Sequence, residues 1–171
     1  GTGSNQDITT GFQPNLTWIK NRGSDDPNTL FDSVRGVLKS FDTGSTAAST
    51  STANSLTAFN SDNFTVGSST TVNNGNNNTY VSWNWKAGTS VSGNSTGAGD
   101  DIAYTGSVNT DAGFSIIKYG GNGTTGHQIP HRLGVVPDAI FIKSLTTQSW
   151  NCWFPNTSMG GTKMMQLDNT G

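Results

Sequence analysis

His127 and His131 stand four residues apart around Pro130, a spacing that would offer two metal ligands on one loop. They are the only histidines, the one cysteine is Cys152, and all eleven acids are Asp, so a mixed ligand set is missing. Two acidic doublets, Asp25-Asp26 and Asp100-Asp101, supply the candidate carboxylates. As glycosidase groups they would need partners across a cleft at a defined separation. Joined by Asp32 or Asp111 they would offer oxygens to calcium, although the chain has no EF-hand loop pattern. Asp25, Asp26, Asp100 and Asp101 are thus the metal candidates. The competing reading is that Asp tips loops because it satisfies turn backbone groups. Serine is too abundant for a Ser-His-Asp arrangement to be read from the sequence alone, and no Gly-x-Ser-x-Gly elbow is expected. No cofactor is expected, and the chain is read as not an enzyme.

Five tryptophans offer a second chemistry. An exposed indole stacks on a sugar ring while neighbouring Asn and Asp side chains bond its hydroxyls. Trp18, Trp150 and Trp153 are the candidate glycan-binding residues. Trp83 and Trp85 alternate with Ser82 and Asn84, which predicts that both indoles face the core together. Cys152, inside Trp150-Asn-Cys-Trp-Phe154, reads as a small buried apolar residue, and a lone cysteine forms no internal disulfide. Asn-x-Ser/Thr strings at Asn15, Asn63, Asn77, Asn94, Asn122 and Asn156 are what a chain this rich in Asn and Thr makes by chance.

The composition says what must position these residues. Hydrophobic residues make up 31% and charged residues 12%, both well below globular norms of roughly 45–50% and 25%. Strong helix formers are scarce, since Glu is absent and Lys and Leu are few. Thr, Val, Ile and aromatics suit pleated strands, and Gly with Asn marks turns. A net charge of −2 and a pI near 5.4 leave no basic stripe for nucleic acid. No apolar run approaches the ~20 residues of a membrane helix, so no membrane insertion is expected.

Strands are expected at 16–20, 29–31, 37–41, 56–59, 64–66, 79–86, 114–119, 139–143, 149–154 and 163–167. The Asn-rich run 73–78 reads as a hairpin tip and 43–54 as a loop. The segment Gly11 to Lys20 recurs as Gly134 to Lys143: Pro14 matches Pro137, Ile19 matches Ile142 and Lys20 matches Lys143. Phe31 matches Phe154 at the same spacing, and after one inserted residue Lys39 matches Lys163 and Thr46 matches Thr170. The expected organisation is a first β unit at 1–92, a Gly/Ser/Asp-rich loop or linker at 93–112, and the start of a second, homologous unit at 113–171. The expected fold is all-β, with sandwich or jelly-roll-like units and a tandem repeat cut at both ends.

The strings Gly11 to Arg22, Leu30-Phe-Asp-Ser-Val-Arg-Gly36, Phe59 to Gly67 and Tyr80-Val-x-Trp-x-Trp-Lys-Ala-Gly88 together resemble a repeat domain of marine phage and metagenomic tail-fibre-like virion proteins. The later strings Gly113 to Tyr119 and Gly123 to Pro137 are similar to the start of its next copy. The resemblance implies a structural or adhesive role on the virion surface, self-association as a homotrimer, contact with other virion proteins, and contact with a host-surface glycan. A carbohydrate-binding module and a polysaccharide depolymerase are the alternatives.

Overall fold

The computed structural model describes residues 1–75, 77–155 and 163–169. Asn76 in the Asn-rich run, the Asn156 string and Thr170 lie outside the described residues. Along the chain run β1 (Gln6–Thr9), β2 (Leu16–Asn21), β3 (Thr29–Asp32), β4 (Lys39–Asp42), β5 (Thr50–Ser51), β6 (Leu56–Phe59) and β7 (Asn63–Val66). A single helical turn α1 (Thr70–Asn73) precedes β8 (Tyr80–Trp85). There follow β9 (Thr89–Asn94), β10 (Thr96–Gly97), β11 (Ala103–Asn109), β12 (Phe114–Tyr119) and β13 (His127–Gln128). The last three strands are β14 (Ile140–Ile142), β15 (Asn151–Trp153) and β16 (Met164–Gln166). Among the described residues the fold is all-β apart from α1.

Two sheets share the main core. One has the order β5-β4-β3-β2-β8 and the other β1-β7-β6, and all their pairings are antiparallel. Strand β2 alternates half-buried and buried residues, so Thr17, Ile19 and Asn21 point inward while Leu16, Trp18 and Lys20 point outward. Ile19 and Phe31 from the five-stranded sheet meet Leu56, Phe64 and Val66 from the three-stranded one. Val72 of α1 completes the cluster, with Ile8, Phe59 and Tyr80 at its margin. A core this small leans on polar ties. Asn73, 1% exposed, accepts the Thr2 N–H at 2.6 Å and donates to the carbonyls of Ser4 (2.5 Å) and Gly67 (2.9 Å). The Tyr80 hydroxyl accepts the Asn74 N–H at 2.7 Å and donates to the Thr70 carbonyl at 2.9 Å, fixing α1 on β8.

The C-terminal half adds three smaller sheets: β12-β11-β9, β10-β13 and β14-β15-β16. Within this half lies the stretch 93–112, expected as a loop or linker. Its residues 103–109 form β11, the central strand of its sheet, paired with β9 and β12 in full register. Tyr104 and Val108 are buried on one face and supply what little apolar anchoring the strand has. Gly106 stays Gly because a Cβ there would sit 2.5 Å from the Ile116 carbonyl oxygen and from Ile117 Cδ1.

Candidate functional site

The outer face of the five-stranded sheet carries the aromatic chemistry. Register places Trp83 (β8), Trp18 (β2), Leu30 (β3) and Phe41 (β4) as successive cross-strand neighbours on the side away from the core. The Trp18 and Trp83 rings lie 5.7 Å apart and are tilted by 51°. Trp85, two residues along β8, stacks on Phe114 at 6.2 Å. Trp83 is 46% exposed and Trp85 37%. At the far end of the row Phe41 is buried, with Trp150 packed edge-on at 5.3 Å and the Arg35 guanidinium 3.9 Å above its ring.

The sequence gives the alternation on β8 correctly but not its sense. Trp83 and Trp85, expected in the core, face outward. The inward face is the polar one, Tyr80, Ser82 and Asn84, because these residues lie opposite Asn21, Ile19 and Thr17 of β2. Asn21 donates to the Tyr80 hydroxyl there at 3.2 Å and Asn84 Nδ2 to Ser82 Oγ at 3.1 Å, while Asn84 Oδ1 and Thr17 Oγ1 on the same face are buried without a hydrogen-bond partner among the described residues. Of the three candidate sugar platforms, Trp18 is half-buried in the outer row. Trp150 is 5% exposed, its indole N–H donates to the Asp42 carbonyl, and its ring packs on Phe41. Trp153 is half-buried on β15, opposite Ile140 and Met164.

The acidic doublets are loop residues. Asp26 accepts from Asn21 Nδ2 at 2.7 Å and from the Ser24 hydroxyl at 2.6 Å, closing its own turn. Asp25, Asp100 and Asp101 are exposed. Asp32 forms an ion pair with Arg35. Among the described residues no three His, Cys or Asp side chains cluster as a metal site would require. A cavity of about 190 Å³ opens between the two core sheets, lined by Ile8, Ile19, Phe64, Val66, Tyr80 and Ser82 among others, and no carboxylate lines it.

One string escaped the sequence reading. Gly93-Asn-Ser-Thr-Gly97 is a Gly-x-Ser-x-Gly pattern, and Ser95 Oγ lies 2.5 Å from His127 Nε2. The setting is not that of a nucleophile elbow, which needs a strand-to-helix turn and an open hydroxyl. Here strands flank the serine on both sides, and Ser95 is fully buried. Its Oγ already accepts the Ile102 N–H at 2.8 Å, and among the described residues no carboxylate bonds the His127 ring. The pair ties the β9–β10 corner to β13. His131 accepts the Leu133 N–H through Nδ1 and shares no ligand geometry with His127.

Two groups near the Trp150 contact have perturbed protonation. Burial lowers the Lys143 pKa, against an opposing pull from Asp168. Burial raises the Cys152 pKa; the backbone bond from Leu167 opposes this and the Asp168 charge adds to it. Cys152 is 2% exposed, as its sequence setting implies.

A family model described as Domain of unknown function (DUF7483) matches residues 1–171. No curated protein and no solved structure matches the chain.

Proposed function

From the premise that this chain belongs to the DUF7483 family over residues 1–171, we propose that it is an adhesive structural module of a fibre-like virion appendage. The outer aromatic face of its five-stranded sheet is the contact surface for a host glycan. The observation that carries this reading is the exposure of Trp83 and Trp85 on one face of β8, with Trp18 alongside. Trp83 tilts on Trp18 and Trp85 stacks on Phe114, yet both keep over a third of their surface in water, the kind of exposed apolar patch that marks an interaction site. Indoles are also rigid platforms that lose little entropy when a ring stacks on them.

The structural half of the reading rests on two features. The sheets that share the Ile19, Phe31, Leu56 and Phe64 cluster are read as a β-sandwich unit. The sheet β14-β15-β16 is read as the opening of a second unit, because it repeats the order and antiparallel sense of β2-β3-β4. Phe141, Cys152 and Met165 then stand where the first unit has Trp18, Leu30 and Phe41, with the first connecting loop one residue shorter. That shift moves the equivalent of Phe31 from Phe154 to Trp153. Exposed Phe141, Ile142, Met164 and Met165 on this sheet favour self-association, read here as a homotrimer on the particle surface. A depolymerase reading gains nothing from the exposed Asp25, Asp100 and Asp101.

The test is calorimetric titration of the whole chain with host-surface oligosaccharides. Saturable binding is expected, reduced at least about tenfold in a Trp83→Ala variant, as loss of a contact worth ~1.4 kcal/mol would give. Equal affinity of the variant and the parent chain would remove the aromatic face from the reading. Release of reducing sugar would replace adhesion with catalysis.

A further inference from the structure

The chain holds only nine Lys and Arg residues, yet three of them line one cleft of about 280 Å³. Arg35 comes from the β3–β4 turn, Lys39 from β4 and Lys118 from β12, with Ser49 and Leu145 completing the wall. Among the described residues no carboxylate lines it. Arg35 is fixed in place: its guanidinium pairs with Asp32, donates to Ser49 Oγ at 3.2 Å and to the Leu30 carbonyl at 3.1 Å, and lies on the Phe41 ring. Asp32 compensates Arg35 alone. Lys39 and Lys118 are exposed and reach the cleft from different sheets.

The fold assembles this charge deliberately. Phe114 of β12 stacks on Trp85 of β8, while Lys118, four residues on, lines the cleft beside Lys39 of β4. Four residues of strand span ~13 Å, and the three strand spacings from β8 to β4 span ~14 Å. Phe114 and Lys118 thus place β12 along the Trp85-to-Lys39 side of the outer face, while Trp83 stays 46% exposed. Lys39 and Lys118 share one cleft with no carboxylate among its lining residues, and an anion entering it would meet both charges.

We propose that this cleft is an anion subsite taking the sulfate or carboxylate group of an acidic polysaccharide. The proposal rests on the glycan-adhesion reading and names its ligand class. The cleft volume of about 280 Å³ falls just below the ~300–1,000 Å³ typical of small-molecule sites, which suits one charged sugar and not a longer segment. Arg35 lies on Phe41, the last residue of the row that begins at Trp83, so the cleft continues the aromatic face. A long polyphosphate fits poorly, because the net charge is −2 and only three of the nine cations line the cleft.

The experiment titrates the full chain with three probes of equal length: unsulfated dextran, sulfated dextran and oligogalacturonate. Tighter binding of at least one anionic probe than of unsulfated dextran is expected, weakening as salt rises. The double variant Lys39→Gln, Lys118→Gln should lose about tenfold or more of that affinity, and the Lys39→Arg, Lys118→Arg pair should restore it. A circular dichroism melt establishes that both variants fold. Equal binding of all three probes, or full affinity in the Gln variant, overturns the anion subsite while leaving the aromatic face standing. Charge-dependent binding that survives Trp83→Ala unchanged keeps the subsite and removes the aromatic platform instead.

Discussion

Asn73 illustrates how much single polar side chains carry in a chain so poor in apolar mass. Its amide bonds Thr2, Ser4 and Gly67 at once and holds the N-terminal segment against α1. Replacing it by Ala leaves three backbone groups without their partner, each such loss costing roughly 1–3 kcal/mol in buried settings. Urea unfolding of Asn73→Ala should show a loss of about 2–4 kcal/mol, with cooperativity intact. In sequence this residue is one of many asparagines, read as part of a hairpin tip; nothing local marks it, because two of its three partners, Thr2 and Ser4, lie some seventy positions away. Cys152 was legible, since four aromatic or polar neighbours with a small apolar residue between them describe a strand interior. Its raised pKa means the folded state holds the thiol proton more tightly than the unfolded chain does. The associated stability is complete below the ordinary thiol value of 9.0 and is lost as pH rises through the raised folded value. A urea midpoint series across that range should fall more steeply for the parent chain than for Cys152→Ala.

Strands with a strong alternating pattern were readable, and strands without one were not. The 79–86 window contains β8, 56–59 coincides with β6 and 114–119 with β12. In contrast β11, with Tyr104 and Val108 as its buried apolar residues, lies within a stretch whose Gly and Ser content reads as linker. Its partners define it, and pairing is a non-local property. The period of β8 fixed two faces but could not say which one turns inward. That choice was made by Asn21 and Thr70, which bond Tyr80 from other elements. The two faces of the same sheet should therefore respond differently to truncation. Phe31→Ala, at a fully buried position in the core cluster, should cost about 3–5 kcal/mol. Trp83→Ala, on the outer face, should cost under about 1 kcal/mol while weakening glycan binding. Parallel denaturant curves for the two variants check the contrast. Gly106→Ala should destabilise by about 1–3 kcal/mol despite the general preference of strands for larger residues, because the added carbon meets backbone at 2.5 Å.

At the scale of the molecule, the C-terminal sheet joins the first half through a few contacts. Ser49 N–H donates to the Leu145 carbonyl at 3.0 Å, Gln148 N–H to the Thr46 carbonyl at 3.0 Å, and Trp150 packs on Phe41. Beyond those contacts it shows water Phe141, Ile142, Met164 and Met165. Sedimentation equilibrium of the whole chain should give a symmetric oligomer, and Phe141→Asp with Met165→Asp should shift it to monomer. A parent chain that stays monomeric at high concentration would count against the fibre reading.

The uneven burial of the five indoles has an optical consequence. Trp150 is sealed, while Trp83 and Trp85 are open to solvent. Acrylamide should extinguish the red-shifted part of the tryptophan emission and leave a bluer residue behind. A bound sugar ring would shield that quenchable fraction without changing the blue one, and unfolding would merge the two. The chain thus carries an unlabelled reporter that separates occupancy of its outer face from loss of its fold.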